Sequence, residues 1–108
     1  MSRIYLGELE ELILLIVALP DRQEAYGVLI VEELQKQAGR EISISAAHAV
    51  LHRLEEKGFV RSKMGGASGE RGGRRKRLFT ITAYGRNALE ELRDTRDVLW
   101  NMITRASV

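Results

Sequence analysis

The sequence predicts a mainly α-helical fold with one small β-hairpin, in the order helix, helix, helix, strand, strand, helix. Three observations predict it. Apolar residues recur at three- and four-residue spacing in four separate stretches. A proline or a glycine follows each of the first three stretches, where a helix has to stop. Two short runs of β-favouring residues flank a glycine-rich segment, which is the pattern of a hairpin.

Leu9, Leu12, Ile13 and Ile16 share one face of the first helix, Val17 widens that face, and Pro20, the only proline, ends it. Asp21 to Glu24 reads as a short connection. The second helix runs from about Tyr26 to Ala38, with Val31, Leu34 and Ala38 inward, Ile30 at the margin, and Gly39 at the left-handed closing position. Ile42-Ser43-Ile44 alternates over too few residues to be more than a short edge strand. Ser45 is then an N-cap for a third helix through Lys57, whose inward stripe is Ala47, Val50, Leu51 and Leu54, and Gly58 closes it. Phe59 to Met64 and Lys76 to Thr82 favour extended structure, and the segment between them, Gly65 to Gly73, holds five glycines in nine residues. From Ala83 the chain is helical again to about Thr104. No internal repeat is visible.

Composition narrows the function classes. At 108 residues, with 44% hydrophobic and 30% charged residues, the chain is expected to form one soluble domain with a modest core. It has no cysteine, which excludes disulfides and thiolate metal sites. The longest apolar run, Leu12 to Leu19, is far short of the roughly 18–20 residues that cross a bilayer. Its acidic flanks do not suit a signal peptide. A cytoplasmic protein with no membrane partner is therefore expected.

The net charge of +2 hides an uneven distribution. Between Arg61 and Arg77 lie seven basic residues and one acid, Glu70, so this segment carries +6 and the rest of the chain −4. Such a concentration points to a polyanionic partner met at one place. In the third helix, Ser45, His48, Ala49, His52 and Glu56 lie opposite the apolar stripe. The residues nearest its N-terminus are small or neutral, as a helix entering a DNA major groove requires. With the hairpin as a wing, the layout is that of a winged helix-turn-helix domain, residues 1–82, followed by a C-terminal helix, residues 83–108. Candidate DNA contacts from the helices are Tyr26, Ser43, Ser45, Ala46, His48, Ala49, His52 and Arg53. Those from the hairpin are Lys63, Arg71, Arg74, Arg75, Lys76 and Arg77. If about five of the seven cations meet phosphates, log affinity should fall against log salt with a slope of roughly −4 to −5.

Several stretches are similar to the PadR family of bacterial winged-helix regulators. They are Ala25-Tyr26-Gly27, the run Leu51-His52-Arg53-Leu54-Glu55-Glu56-Lys57-Gly58-Phe59-Val60, the basic return Arg74-Arg75-Lys76-Arg77, and Thr82 with Gly85 in a Thr-x-x-Gly signature. The resemblance runs from about Leu6 through the C-terminal helix. It implies a homodimer that represses nearby genes from a palindromic double-stranded DNA operator, often in response to a small molecule. The chain departs from the family at Ser45-Ala46-Ala47-His48-Ala49, where many members have Gly-Thr-Leu-Tyr-Pro. His48 thus takes the place of a tyrosine that reaches the DNA backbone; an imidazole can donate to phosphate as well, but operator preference does not carry over.

In the last helix Gly85, Leu89, Leu92, Arg96, Leu99 and Ile103 follow alternating four- and three-residue steps, the seam of a helix packed on another helix. So small a body offers little to cover it, and pairing with a second copy is the simplest solution. Leu89, Leu92, Arg96, Leu99, Trp100 and Ile103 are the candidate interface residues. Trp100 beside the seam packs there or, as in the drug-sensing branch of the similar family, lines an effector pocket.

Two other classes stay open at this point. His48, His52 and Glu56 share a face and could hold zinc in a metal-responsive sensor, although the glutamate of the His-Glu-x-x-His motif is missing. The basic hairpin could instead meet an acidic protein in an interaction module. RNA is disfavoured because aromatic residues that stack on bases are scarce in the strands. No catalytic set and no phosphate loop is present, so neither an enzyme nor a cofactor or metal is expected.

Overall fold

A computed structural model describes residues 5–19, 25–65 and 76–106. The elements are α1 (Glu8–Val17), α2 (Gly27–Ala38), α3 (Ile44–Glu56), β1 (Val60–Met64), β2 (Arg77–Ile81) and α4 (Ala83–Ala106). This is the predicted order, mainly helical with one hairpin. The strands pair antiparallel, with Val60 opposite Ile81 and Met64 opposite Arg77. Ala25 adds a single bridge to the other side of β2, exchanging both backbone hydrogen bonds with Phe79 at 2.7 and 3.2 Å.

The core is where α1, α2 and α3 converge. Ile13, Leu14, Ile30, Leu34, Leu51 and Leu54 are its largest fully buried side chains, and Phe59, Val60 and Phe79 close it from the hairpin side. The predicted α3 stripe of Ala47, Val50, Leu51 and Leu54 is buried throughout. The phase of α2 differs from the expectation: Ile30 and Leu34 face inward, Val31 is half-buried and Ala38 exposed. A helical period permits both stripes, and packing against α1 selects one. In α1 the additional buried apolar residue is Leu14, while Leu9 and Leu12 are half-buried.

Helix ends show where local chemistry decides. α1 stops at Val17, ahead of Pro20, which lies outside the described residues. α3 begins at Ile44, not after Ser45: the Ser43 hydroxyl accepts the Ala46 amide at 3.0 Å and is the N-cap. The predicted edge strand at Ile42-Ser43-Ile44 therefore does not form, and half-buried Ile42 packs against the core instead. At the other end Gly58 takes φ 84°, with Gly58 N–H bonded to Glu55 O at 3.0 Å and Phe59 N–H to Leu54 O at 2.9 Å. This paired closure needs a left-handed residue and supplies two otherwise unpaired helix carbonyls with donors.

Two acidic residues of α1 are buried, Glu10 and Glu11. Glu10 accepts the Gly7 amide at 2.9 Å, satisfying the start of its own helix, and accepts from Lys57 Nζ at 2.8 and 3.0 Å. Burial pushes its carboxyl up, but the Lys57 and Gly7 hydrogen bonds and the charges of Lys57 and Arg53 outweigh it, and the net shift is downward. Glu11 accepts a hydrogen bond from Arg96 of α4, and that pairing raises the Arg96 guanidinium further above its ordinary value.

α4 is fixed at its first turn. The Thr82 hydroxyl accepts the Gly85 amide at 3.0 Å and donates to the Gly58 carbonyl at 2.7 Å, while the Thr82 amide donates to Phe59 O at 3.0 Å. Tyr84 stacks on Phe59 with ring centroids 5.1 Å apart. Gly85 and Ala88 are buried, Leu89 and Leu92 half-buried, and the helix beyond them is exposed.

Gly85 is required by close approach. A Cβ there would stand 2.2 Å from the Phe59 carbonyl oxygen and 3.0 Å from Ile81 Cγ1, so backbone would have to move. Gly85→Ala is expected to destabilise the fold by about 1–3 kcal/mol, the usual range for overpacking, read as a lowered urea midpoint. An unchanged midpoint would show that α4 is not docked in this way.

Candidate nucleic-acid interface

The buried stripe of α3 fixes what its other face presents. Ser45, His48, Ala49, His52 and Arg53 are exposed, while Ala46 is half-buried with its amide taken by Ser43. The hairpin packs against this helix through one of its faces. In an antiparallel pair, opposed residues share a face, so Ser62, Phe79, Met64 and Arg77 turn towards α3, and Arg61 and Lys63 lie on the opposite face. The predicted hairpin cations are thus divided between two faces. Arg71, Arg74 and Arg75 lie outside the described residues.

His48, His52, Glu55, Arg77 and Phe79 line a cleft of about 400 Å³ between α3 and the hairpin. Three of these were predicted DNA contacts, and the fold brings them together. Glu55, in the last turn of α3, lines the cleft with them. Its carboxylate accepts from the Ser62 amide at 3.0 Å and the Ser62 hydroxyl at 2.7 Å. The same hydroxyl accepts from Arg77 Nη1 at 2.9 Å. Its face was legible in the sequence, because Glu55 is seven residues from His48 and three from His52, on their face.

Two further predicted residues hold each other. Lys76 Nζ sits over the Tyr26 ring, 4.2 Å from its centroid, which anchors the loop end of β2 to the start of α2. Ser43 is occupied as the α3 cap, and Arg53 Nε stands 3.9 Å from Glu10. His52 Nε2 is 3.6 Å from Glu56. His48 lies across the start of α2, so close that a Cβ on Gly27 would be 2.6 Å from its Nε2. Sequence reasoning missed Gly27 in this role, although it follows Ala25-Tyr26 in the motif. Among the described residues no three side chains of metal-ligating type converge, and the two histidines have different neighbours.

Of the candidate interface residues on α4, Leu89 and Leu92 are partly covered by their own domain and Arg96 reaches Glu11 of α1. Leu99 is 54%, Trp100 64% and Ile103 59% exposed. Among the described residues no helix is long and apolar enough to cross a membrane.

Three helices on one core, a hairpin beside the exposed face of the third and a bridge from the second helix to the hairpin together make a winged helix-turn-helix fold. Solved structures with the same fold include a PadR family transcription regulator from Clostridium difficile, with a TM-score of 0.75, 19% identity, and coverage of 94% of this chain and 100% of that one. A PadR-like transcriptional regulator from Bacillus cereus matches with a TM-score of 0.69 and 22% identity over 91% of this chain and 89% of that one. Bacillus subtilis PadR, solved in complex with operator DNA, matches with a TM-score of 0.66 and 20% identity over 79% of this chain and 46% of that one. No curated protein matches the chain. The sequence profile of the transcriptional regulator PadR-like family matches residues 14–91, and the chain belongs to that family. It is a family of transcriptional regulators, not of enzymes.

Gly27 tests how His48 is set. Its backbone is helical and not left-handed, so alanine can take it, and the nearest obstacle is the movable end of the His48 ring. Gly27→Ala is expected to leave the unfolding midpoint at or above wild type while shifting the His48 ring resonances in NMR. Unmoved His48 resonances would mean that the ring does not rest on Gly27.

Proposed function

We propose that the chain is a sequence-specific, DNA-binding repressor that acts as a homodimer on a palindromic operator. The observation that carries this reading is the cleft in which His48 and His52 of α3 stand beside Arg77 of the hairpin, on a chain of this family. The exposed α3 face enters the major groove, with Ser45, Ala49 and the two histidines nearest the bases. Tyr26, Lys76 and Arg77 grip flanking phosphates, joined by Lys63 and by Arg71, Arg74 and Arg75. Phosphate contacts set position and affinity, and base contacts set sequence preference. The structure of Bacillus subtilis PadR with operator DNA supports this use of the fold.

Residues 1–82 form the DNA-binding unit and residues 83–108 the dimerisation helix. The exposed Leu99, Trp100 and Ile103, continued by Val98 and Met102, make an apolar surface that a second copy would cover. Trp100 serves as packing in that interface. Its groove, with Arg96, Asp97, Leu99 and Ile103, is formed from α4 alone, so a small-molecule effector would need the second copy to enclose it.

Fluorescence anisotropy with DNA from upstream of the chain's own gene, against scrambled DNA at several salt concentrations, tests the reading. Tight binding that prefers the upstream DNA, with a log–log salt slope of about −9 from roughly five phosphate contacts on each of two chains, is expected. Sedimentation should show two chains per operator. Equal affinity for scrambled DNA would refute sequence-specific regulation and favour a basic interaction module.

A further inference from the structure

We infer that Glu55 is a positioning residue for DNA binding, holding Arg77 through Ser62 so that the guanidinium faces the cleft shared with His48 and His52. The inference rests on the DNA-binding reading above and adds to it a residue whose charge alone predicts the opposite effect.

The geometry is specific. A single carboxylate oxygen, Oε2 of Glu55, accepts from both the amide and the hydroxyl of Ser62, at 3.0 and 2.7 Å. The hydroxyl has one proton, which Glu55 takes, so its lone pairs are turned to receive Arg77 Nη1 at 2.9 Å. Glu55 belongs to the last turn of α3, Ser62 to β1 and Arg77 to β2. The relay therefore crosses from the helix that would enter the groove to both strands of the hairpin beside it. It fixes the angle between helix and hairpin, and it fixes one rotamer of a long cation that otherwise loses entropy on binding.

Charge alone argues the other way. A carboxylate lining a cleft that meets phosphates repels them, and deleting it should strengthen binding. Positioning predicts that its deletion weakens binding. The two effects separate by substitution, because the bonds to Ser62 use one oxygen. Glu55→Gln keeps a carbonyl oxygen that accepts from both donors and removes the charge. Glu55→Ala removes both. Ser62→Ala breaks the relay at a neutral position and leaves every charge in place.

The test is a salt-resolved anisotropy titration of the full chain on its upstream DNA, with circular dichroism confirming that each variant is folded. Glu55→Ala and Ser62→Ala are expected to bind about tenfold more weakly, with the salt slope reduced by about two, as for one lost phosphate contact on each of two chains. Glu55→Gln is expected to bind at least as tightly as wild type. Arg77→Ala should cost as much as Glu55→Ala, and the double variant no more than either alone. The inference is overturned if Glu55→Ala binds as tightly as wild type, if Glu55→Gln is as weak as Glu55→Ala, or if Ser62→Ala has no effect. Failure of wild type to prefer its upstream DNA would instead overturn the underlying DNA-binding reading. Should Glu55→Ala fail to fold, Ser62→Ala and Glu55→Gln still decide the matter.

Discussion

The carbonyl of Phe59 is the point at which α3, the hairpin and α4 meet. Gly58, in its left-handed conformation, turns the chain so that Phe59 N–H closes α3 and Phe59 O receives the Thr82 amide. The side chain is buried in the core, and its outer face is stacked on Tyr84. Gly85 must be bare because α4 passes directly against this carbonyl. The helix that would read DNA, the strand pair beside it and the helix that would pair with a second copy are thus fixed to one turn. That turn, with the Arg96–Glu11 pair to α1, is where α4 is held to the core.

Charge is distributed on the same plan. α1 carries the carboxylates that engage the body's cations: Glu10 takes Lys57, with Arg53 nearby, Glu11 takes Arg96, and Glu8 takes Arg40 at 2.5 Å. Each of these pairs ties α1 to another helix or to the turn beyond one, and each leaves little net field. The described cations at the loop end of β2 have neutral direct partners instead, Arg77 on a serine hydroxyl and Lys76 on an aromatic ring. Such partners orient a cation without pairing it directly, although the Glu55 carboxylate behind Ser62 offsets part of the Arg77 field. The acidic body and basic hairpin seen in the sequence are therefore two different uses of charge, one internal and one facing outward.

Much of this was legible in the sequence, for reasons that can be named. α3 was legible because four apolar residues at helical spacing lie between a serine-rich start and a glycine stop, and each signal agrees with the others. Its exact start was not, because Ser43 and Ser45 are equally good caps. Tertiary packing decides between them by holding Ile42 against the core and leaving Ile44 exposed. The face of α2 was ambiguous for a related reason, since Ile30 and Val31 are neighbours and only contact with α1 selects the first. The Thr82–Gly85 signature could be recognised but not understood from sequence, because its cause is a backbone carbonyl 26 positions before Gly85. Glu55 was not singled out, because its charge does not mark it as a DNA contact, while its bonds to Ser62 depend on how β1 packs on α3. Arg71, Arg74 and Arg75, on which part of the wing expectation fell, lie outside the described residues.

The central claim is that the α3 face and the loop end of β2 beside it are the surface that meets DNA. Amide chemical-shift mapping of the full chain, titrated with its upstream DNA, tests this most directly. The account predicts the largest shifts at Ser45, His48, Ala49 and His52 and at Lys76 and Arg77, with Leu12, Leu15 and Ala38 in the groove between α1 and α2 unmoved. Shifts centred on that groove or on the distal half of α4, with α3 silent, would contradict it.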